Sequence, residues 1–137
     1  MSGELADEGA DFALNILFRH TGTTPAAVYL GLATVTIVDT DTLVTITEED
    51  DAEYERKEIT FGAPADVGGV QKVKNSAPVA FDAWGADGSE ITDCFITDAV
   101  SGTGGVLISR LVLDVAKTPK LGETLTFPIN ALVFGAE

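Results

Sequence analysis

Residues 105–134 decide the fold: Gly105-Val-Leu-Ile-Ser, Leu111-Val-Leu-Asp-Val, then Lys117-Thr-Pro-Lys-Leu-Gly-Glu-Thr-Leu-Thr-Phe and Ala131-Leu-Val-Phe. Short β-branched and apolar runs broken by Pro and Gly read as strand, turn, strand. No nucleophile, base or metal-ligand cluster lies among them. The stretch supplies packing residues and hydroxyls, which points to a binding or structural domain.

The same grammar extends backwards. Val28-Tyr-Leu-Gly-Leu-Ala-Thr-Val-Thr-Ile-Val reads as a central strand, and Asp39-Thr-Asp-Thr as a turn into a strand at Leu43-Val-Thr-Ile, giving a hairpin. Lys57 to Phe61, Gln71 to Phe81 and Glu90 to Asp98 read as further strands, with loops at Gly62–Gly69 and Ser101-Gly-Thr-Gly-Gly. Only residues 4–20 read as helix. Ala10, Ala13, Leu14, Leu17 and Phe18 follow helical spacing, acids lead, and Arg19 and His20 close it before Gly22. The fold class is therefore mainly β, an antiparallel β-sandwich or barrel-like domain with one short N-terminal helix. The 137 residues form a single domain, with an N-terminal helical segment at 1–22 and a β domain at 26–137. Val28, Leu30, Leu32, Phe61, Phe81, Phe95, Ile96, Leu111, Leu113, Leu125, Phe127 and Leu132 are the expected core.

Net charge is −14, from 22 acidic and 8 basic residues. Such a surface repels phosphate, so nucleic acid is not an expected partner. No apolar run is long enough to span a bilayer, so no membrane role is expected either. The acidic start lacks the basic and apolar regions of a signal peptide, which predicts synthesis in, and no export from, a cytoplasm. Seven acids crowd Glu48 to Glu58, and residues 39–55 are expected to project as an exposed, charged insert. With Asp39 and Asp41, Glu48, Glu49, Asp50 and Asp51 offer oxygen ligands, but their spacing matches no calcium loop; a solvated face is the simpler reading. Cys94, the sole cysteine, sits in a strand-like run as a small hydrophobe. His20 is a helix-end residue. No catalytic set and no cofactor or metal site is expected.

Trp84 has two readings, a cap on the core or an exposed anchor for a partner. Tyr54 and Arg56 stand out within the acidic run, and the 5–18 helix, with Leu14, Leu17 and Phe18, offers a packing surface for sister subunits or a shell. These residues, with Glu48 to Asp51, are the candidate interaction set.

The order of motifs resembles a family of short virion proteins of tailed bacteriophages, whose members are labelled tail fibre or head decoration proteins. The resemblance is carried by Gly22-Thr23, Pro25 and Tyr29-Leu-Gly-Leu32; by Tyr54, Arg56 and Phe61; and by Asn75-Ser76, Phe81 and Trp84-Gly85. It continues through Phe95-Ile-Thr-Asp98-Ala99, Gly122-Glu-Thr-Leu-Thr-Phe127 and Ala131-Leu132. It covers most of the chain, departing at the longer, more acidic 33–53 and the enlarged turn at Ala86-Asp-Gly-Ser. It implies a non-enzymatic virion structural protein. The compact domain, without shaft repeats or clustered aromatics, favours a capsid decoration (cement) protein on the outer shell over a tail fibre or tail-tip adhesin. The implied partners are the major capsid protein and the chain itself as a homo-oligomer, a trimer by analogy with shell symmetry.

Overall fold

A computed structural model describes residues 1–136. The elements in chain order are β1 (Ser2–Leu5), α1 (Asp7–Phe18), β2 (Val28–Ala33), β3 (Lys57–Ile59), β4 (Ala65–Val67), β5 (Val70–Lys74), β6 (Val79–Ala80), β7 (Ile91–Thr97), β8 (Leu107–Lys117), β9 (Thr126–Phe127) and β10 (Val133–Gly135). Eight strands form one sheet in the order β3-β2-β7-β8-β1-β10-β5-β4, and β6 pairs with β9 as a separate ribbon. The fold is mainly β with one helix, as expected.

The sheet curls on itself. Beyond β3, the Ser76 N–H donates to the Thr60 carbonyl at 2.8 Å and the Gly62 N–H to the Lys74 carbonyl at 3.0 Å. Phe61 thereby bridges Asn75, linking the β3 edge to β5 across the barrel-like interior. That interior holds the main core: Leu30, Leu32, Ile59, Ile91, Cys94, Ile96, Leu111 and Leu113 from the sheet, closed by Val79, Phe81, Trp84, Leu125, Phe127 and Leu132. Alternation along each strand sends every second residue inward. Of the expected core, only Val28 and Phe61 are half-buried; the rest are buried.

Four expectations needed correcting. The helix begins at Asp7, not residue 4, and Ser2–Leu5 is a strand lying between β8 and β10. There its backbone finds partners on both sides, which a helical turn at this point would forfeit. β1 runs parallel to β10, the sheet's one parallel pair among the described residues. Second, β2 stops at Ala33 and Leu43–Ile46 is a turn, so the hairpin does not form. The hydroxyls and carboxylate there capture the chain: the Thr42 N–H donates to Thr45 Oγ1 at 2.9 Å, which itself donates to Asp41 Oδ1 at 2.8 Å. Local side-chain bonds of this kind outcompete a ladder. Third, residues 39–55 do not simply project. Leu43 is buried with Ala6, Ala33, Ile37, Phe95 and Leu107 in a second small core on the outer face of the sheet, and Glu49 is buried as well. Fourth, the tail runs unbroken through Arg110 as the eleven-residue β8, and the 62–69 loop contains β4, turned into β5 by Gly68 and Gly69 at φ 64° and 87°.

α1 packs against β8 through Gly9. A Cβ at that position would lie 1.9 Å from the Ile108 carbonyl oxygen, so only glycine permits the approach.

Candidate functional site

The acidic run is organised around Arg56. Its Nε donates to Glu48 Oε2 and its Nη2 to Glu48 Oε1, both at 2.8 Å, a two-pronged pair. The remaining guanidinium donors reach the Ala99 carbonyl at 2.9 Å and the Gly102 carbonyl at 2.8 Å, and the group lies over the Phe95 ring at 5.4 Å. The Tyr54 hydroxyl donates to Glu48 Oε2 at 2.7 Å and accepts from the Leu32 N–H at 2.9 Å. Burial, reinforced by the Glu48 charge, pushes this phenol above the ordinary tyrosine range. Glu48, Tyr54 and Arg56 thus tie the loop to β2 and to the 98–105 turn.

The neighbouring acids are turn-formers. Buried Glu49 accepts from the Asp50 and Asp51 N–H groups through Oε1, while its Oε2 has no protein partner. Asp51 Oδ2 accepts from the Glu53 and Gly85 N–H groups. Asp50 stays exposed. Among the described residues, no three His, Cys, Asp or Glu side chains converge in a way that could hold a metal ion.

Trp84 is 2% exposed and belongs to the core, which favours the capping reading over the anchor. Its backbone pairs with the distant Gly122–Glu123 turn: the Trp84 N–H donates to the Glu123 carbonyl and the Gly122 N–H to the Trp84 carbonyl. Asn75 plays the same role elsewhere. Its Nδ2 donates to the Ala77 and Pro128 carbonyls and its Oδ1 accepts from the Leu132 N–H, each at 2.9 Å. Cys94 is buried in the core, and desolvation raises its thiol well above the usual range, so it is a poor nucleophile.

The helix end is different. Leu14, Leu17 and Phe18 are 54%, 68% and 77% exposed, with no element over them among the described residues. Beside α1, at one end of the curled sheet, lies an apolar groove of about 470 Å³, walled by Val28, Phe61, Val73, Ile96, Ile108 and Phe134, with Ala13 on the helix side and Lys72 among its lining. Sequence reading singled out the helix residues but missed the groove. Its walls come from five strands scattered along the chain, and each wall residue alone reads as core.

The ordered motifs therefore meet in space as tie-points of one fold: Tyr54 with β2, Arg56 with Ala99, Asn75 with the 128–132 segment, Trp84 with Gly122. A family model described as podophage GP4 fiber I protein gp80 matches residues 6–135. The chain belongs to that family. A comparison with curated proteins gave no match. As a member of the gp80 fibre family it is a virion structural protein of the short-tailed phage kind, in agreement with the resemblance read from its motifs. The match runs from Ala6 through β10, so it takes in α1, the groove and the Arg56 tie.

Proposed function

We propose that this chain is a non-enzymatic building block of the fibre apparatus of a short-tailed phage, acting as a homo-oligomer. The observation that carries this reading is the family match over residues 6–135, to a fibre protein by description. The geometry supports it. The polar clusters are spent on tying loops to the sheet, and the large apolar side chains left uncovered on α1 suit assembly better than chemistry. The acidic surface suits docking on a basic face of a neighbouring virion protein.

Capsid decoration is the second reading, favoured by compactness: the described residues form one curled eight-stranded sheet and a small β6–β9 ribbon, with no extended shaft. On that reading the partner would be the major capsid protein, and a trimer would match the shell's symmetry axes. Cryo-EM of the purified virion, with the chain fitted as a rigid body, tests both. Density at the tail supports the fibre reading. Density confined to the outer shell overturns it in favour of decoration.

A further inference from the structure

We propose that the outer end of α1, through Leu14, Leu17 and Phe18, seats in the apolar groove of a second copy of this chain. The inference deepens the self-assembly part of the fibre reading and rests on it only for its setting. Each copy carries both halves of the contact. The knob is the three side chains that are 54%, 68% and 77% exposed. The socket is the groove of about 470 Å³ where half-buried Val28, Phe61 and Val73 lie over buried Ile96 and Phe134 at the edge of the core.

The helix cannot fill its own groove. Gly9 fixes α1 against the Ile108 carbonyl, and Ala13 already forms the groove wall. At about 100° per residue, Leu17 then lies at the rim, while Leu14 and Phe18 face away. An occupant must come from another chain.

Charge selects which chain. Asp7, Asp11, Leu14 and Phe18 share one stripe of α1, so a docking helix brings carboxylates alongside its apolar end. The groove's lining includes Lys72, whose Nζ donates to Ser2 Oγ at 2.9 Å and, among the described residues, joins no ion pair. A basic partner suits the overall surface but not this socket; α1 of a second copy supplies both the apolar end and the acids. Such a contact is heterologous, helix of one copy to groove of the next, and it propagates into a ring or a filament.

Salt separates this from docking on a basic partner. Each copy carries −14, so long-range repulsion opposes self-contact and is screened as salt rises from about 0.05 M to about 0.5 M. Sedimentation velocity on the purified chain should show oligomers that tighten over that range. Phe18→Asp and Leu17→Asp, at exposed positions, should be monomeric with unchanged far-UV circular dichroism. Val73→Asp should also be monomeric; Lys72→Glu, should Val73→Asp fail to fold, serves as the groove variant and weakens association by about tenfold. Mixing a helix variant with a groove variant leaves one intact knob and one intact socket, and a one-to-one pair should form. The proposal is overturned if the parent is monomeric at both salts up to the order of 100 µM, if Phe18→Asp associates like the parent, or if the mixture stays monomeric. None of these results touches the virion location, which is read separately in particles.

Discussion

Asn75→Ala should unfold this domain more readily than any other single polar truncation of an uncharged side chain. The side chain is fully buried and makes three hydrogen bonds, to Ala77, Pro128 and Leu132. Removing it strands the Leu132 N–H, in a residue with no exposure, at about 1–3 kcal/mol. The Ala77 and Pro128 residues are exposed, so their carbonyls regain water, and each lost bond costs about 0.5–1.5 kcal/mol. The expected total is about 3 kcal/mol, or roughly 10 °C in Tm for a chain of this size. Urea unfolding followed through the single, buried Trp84 measures it, with the midpoint shifted and the slope unchanged. Asn75→Asp adds a sign. It keeps the acceptor for Leu132 but aims a carboxylate at two carbonyls, so its folded pKa lies above the unfolded value of about 3.9. Its stability relative to the parent should fall as pH rises from about 4 to about 7. A loss below about 0.5 kcal/mol for Asn75→Ala would refute the idea that this side chain stitches the 128–132 segment to the sheet.

Other outcomes follow from the same packing. Phe127→Ala, in the core beside Phe81, should cost about 3–5 kcal/mol by urea unfolding. Gly31→Ala should cost about 1–3 kcal/mol, because its Cβ would lie 2.2 Å from the Phe95 ring. Tyr54 has a raised folded pKa, so stability is full below the unfolded value of about 10 and falls as pH rises past it; an alkaline titration should show Tyr54 ionising only with unfolding, and Tyr54→Phe should flatten that fall. Cys94 should react with a thiol reagent only at the rate of opening, measured against the same sample in urea.

Strand existence was legible where β-branched and apolar residues run together between turn signals, at Val28–Ala33, Ile91–Thr97 and the tail. What failed depended on competition the sequence does not display. Leu43–Ile46 has strand-like residues, but its threonines and Asp41 bond locally and make a turn. Ser2–Leu5 reads as a helix start because Glu4 and Asp7 suit one; the slot between β8 and β10 is visible only once the sheet is assembled. The acidic run shows its charge and hides its anchors, since nothing in Glu48-Glu49 says that one acid grips Arg56 and the next is buried. The motif residues pointed to a short-tailed phage virion family, which the family match bears out, yet they work as fold tie-points. Of the interaction candidates, Leu14, Leu17 and Phe18 are exposed, and the groove proposed as their socket was invisible because five strands build it.

β1 lies deep inside the sheet, flanked by strands from the far end of the chain. During synthesis, its three partners on β8, Ser109, Arg110 and Leu111, are absent until that stretch has left the ribosome, and its β10 partners, Val133 and Phe134, come later still. The closing step therefore joins β1 to β10, more than 125 residues apart, a high-contact-order event that slows folding and leaves an open seam meanwhile. A nascent chain with such a seam is most vulnerable to pairing with a sibling on the same message. The timing of translation through β8 to β10 thus becomes part of how this small domain stays itself.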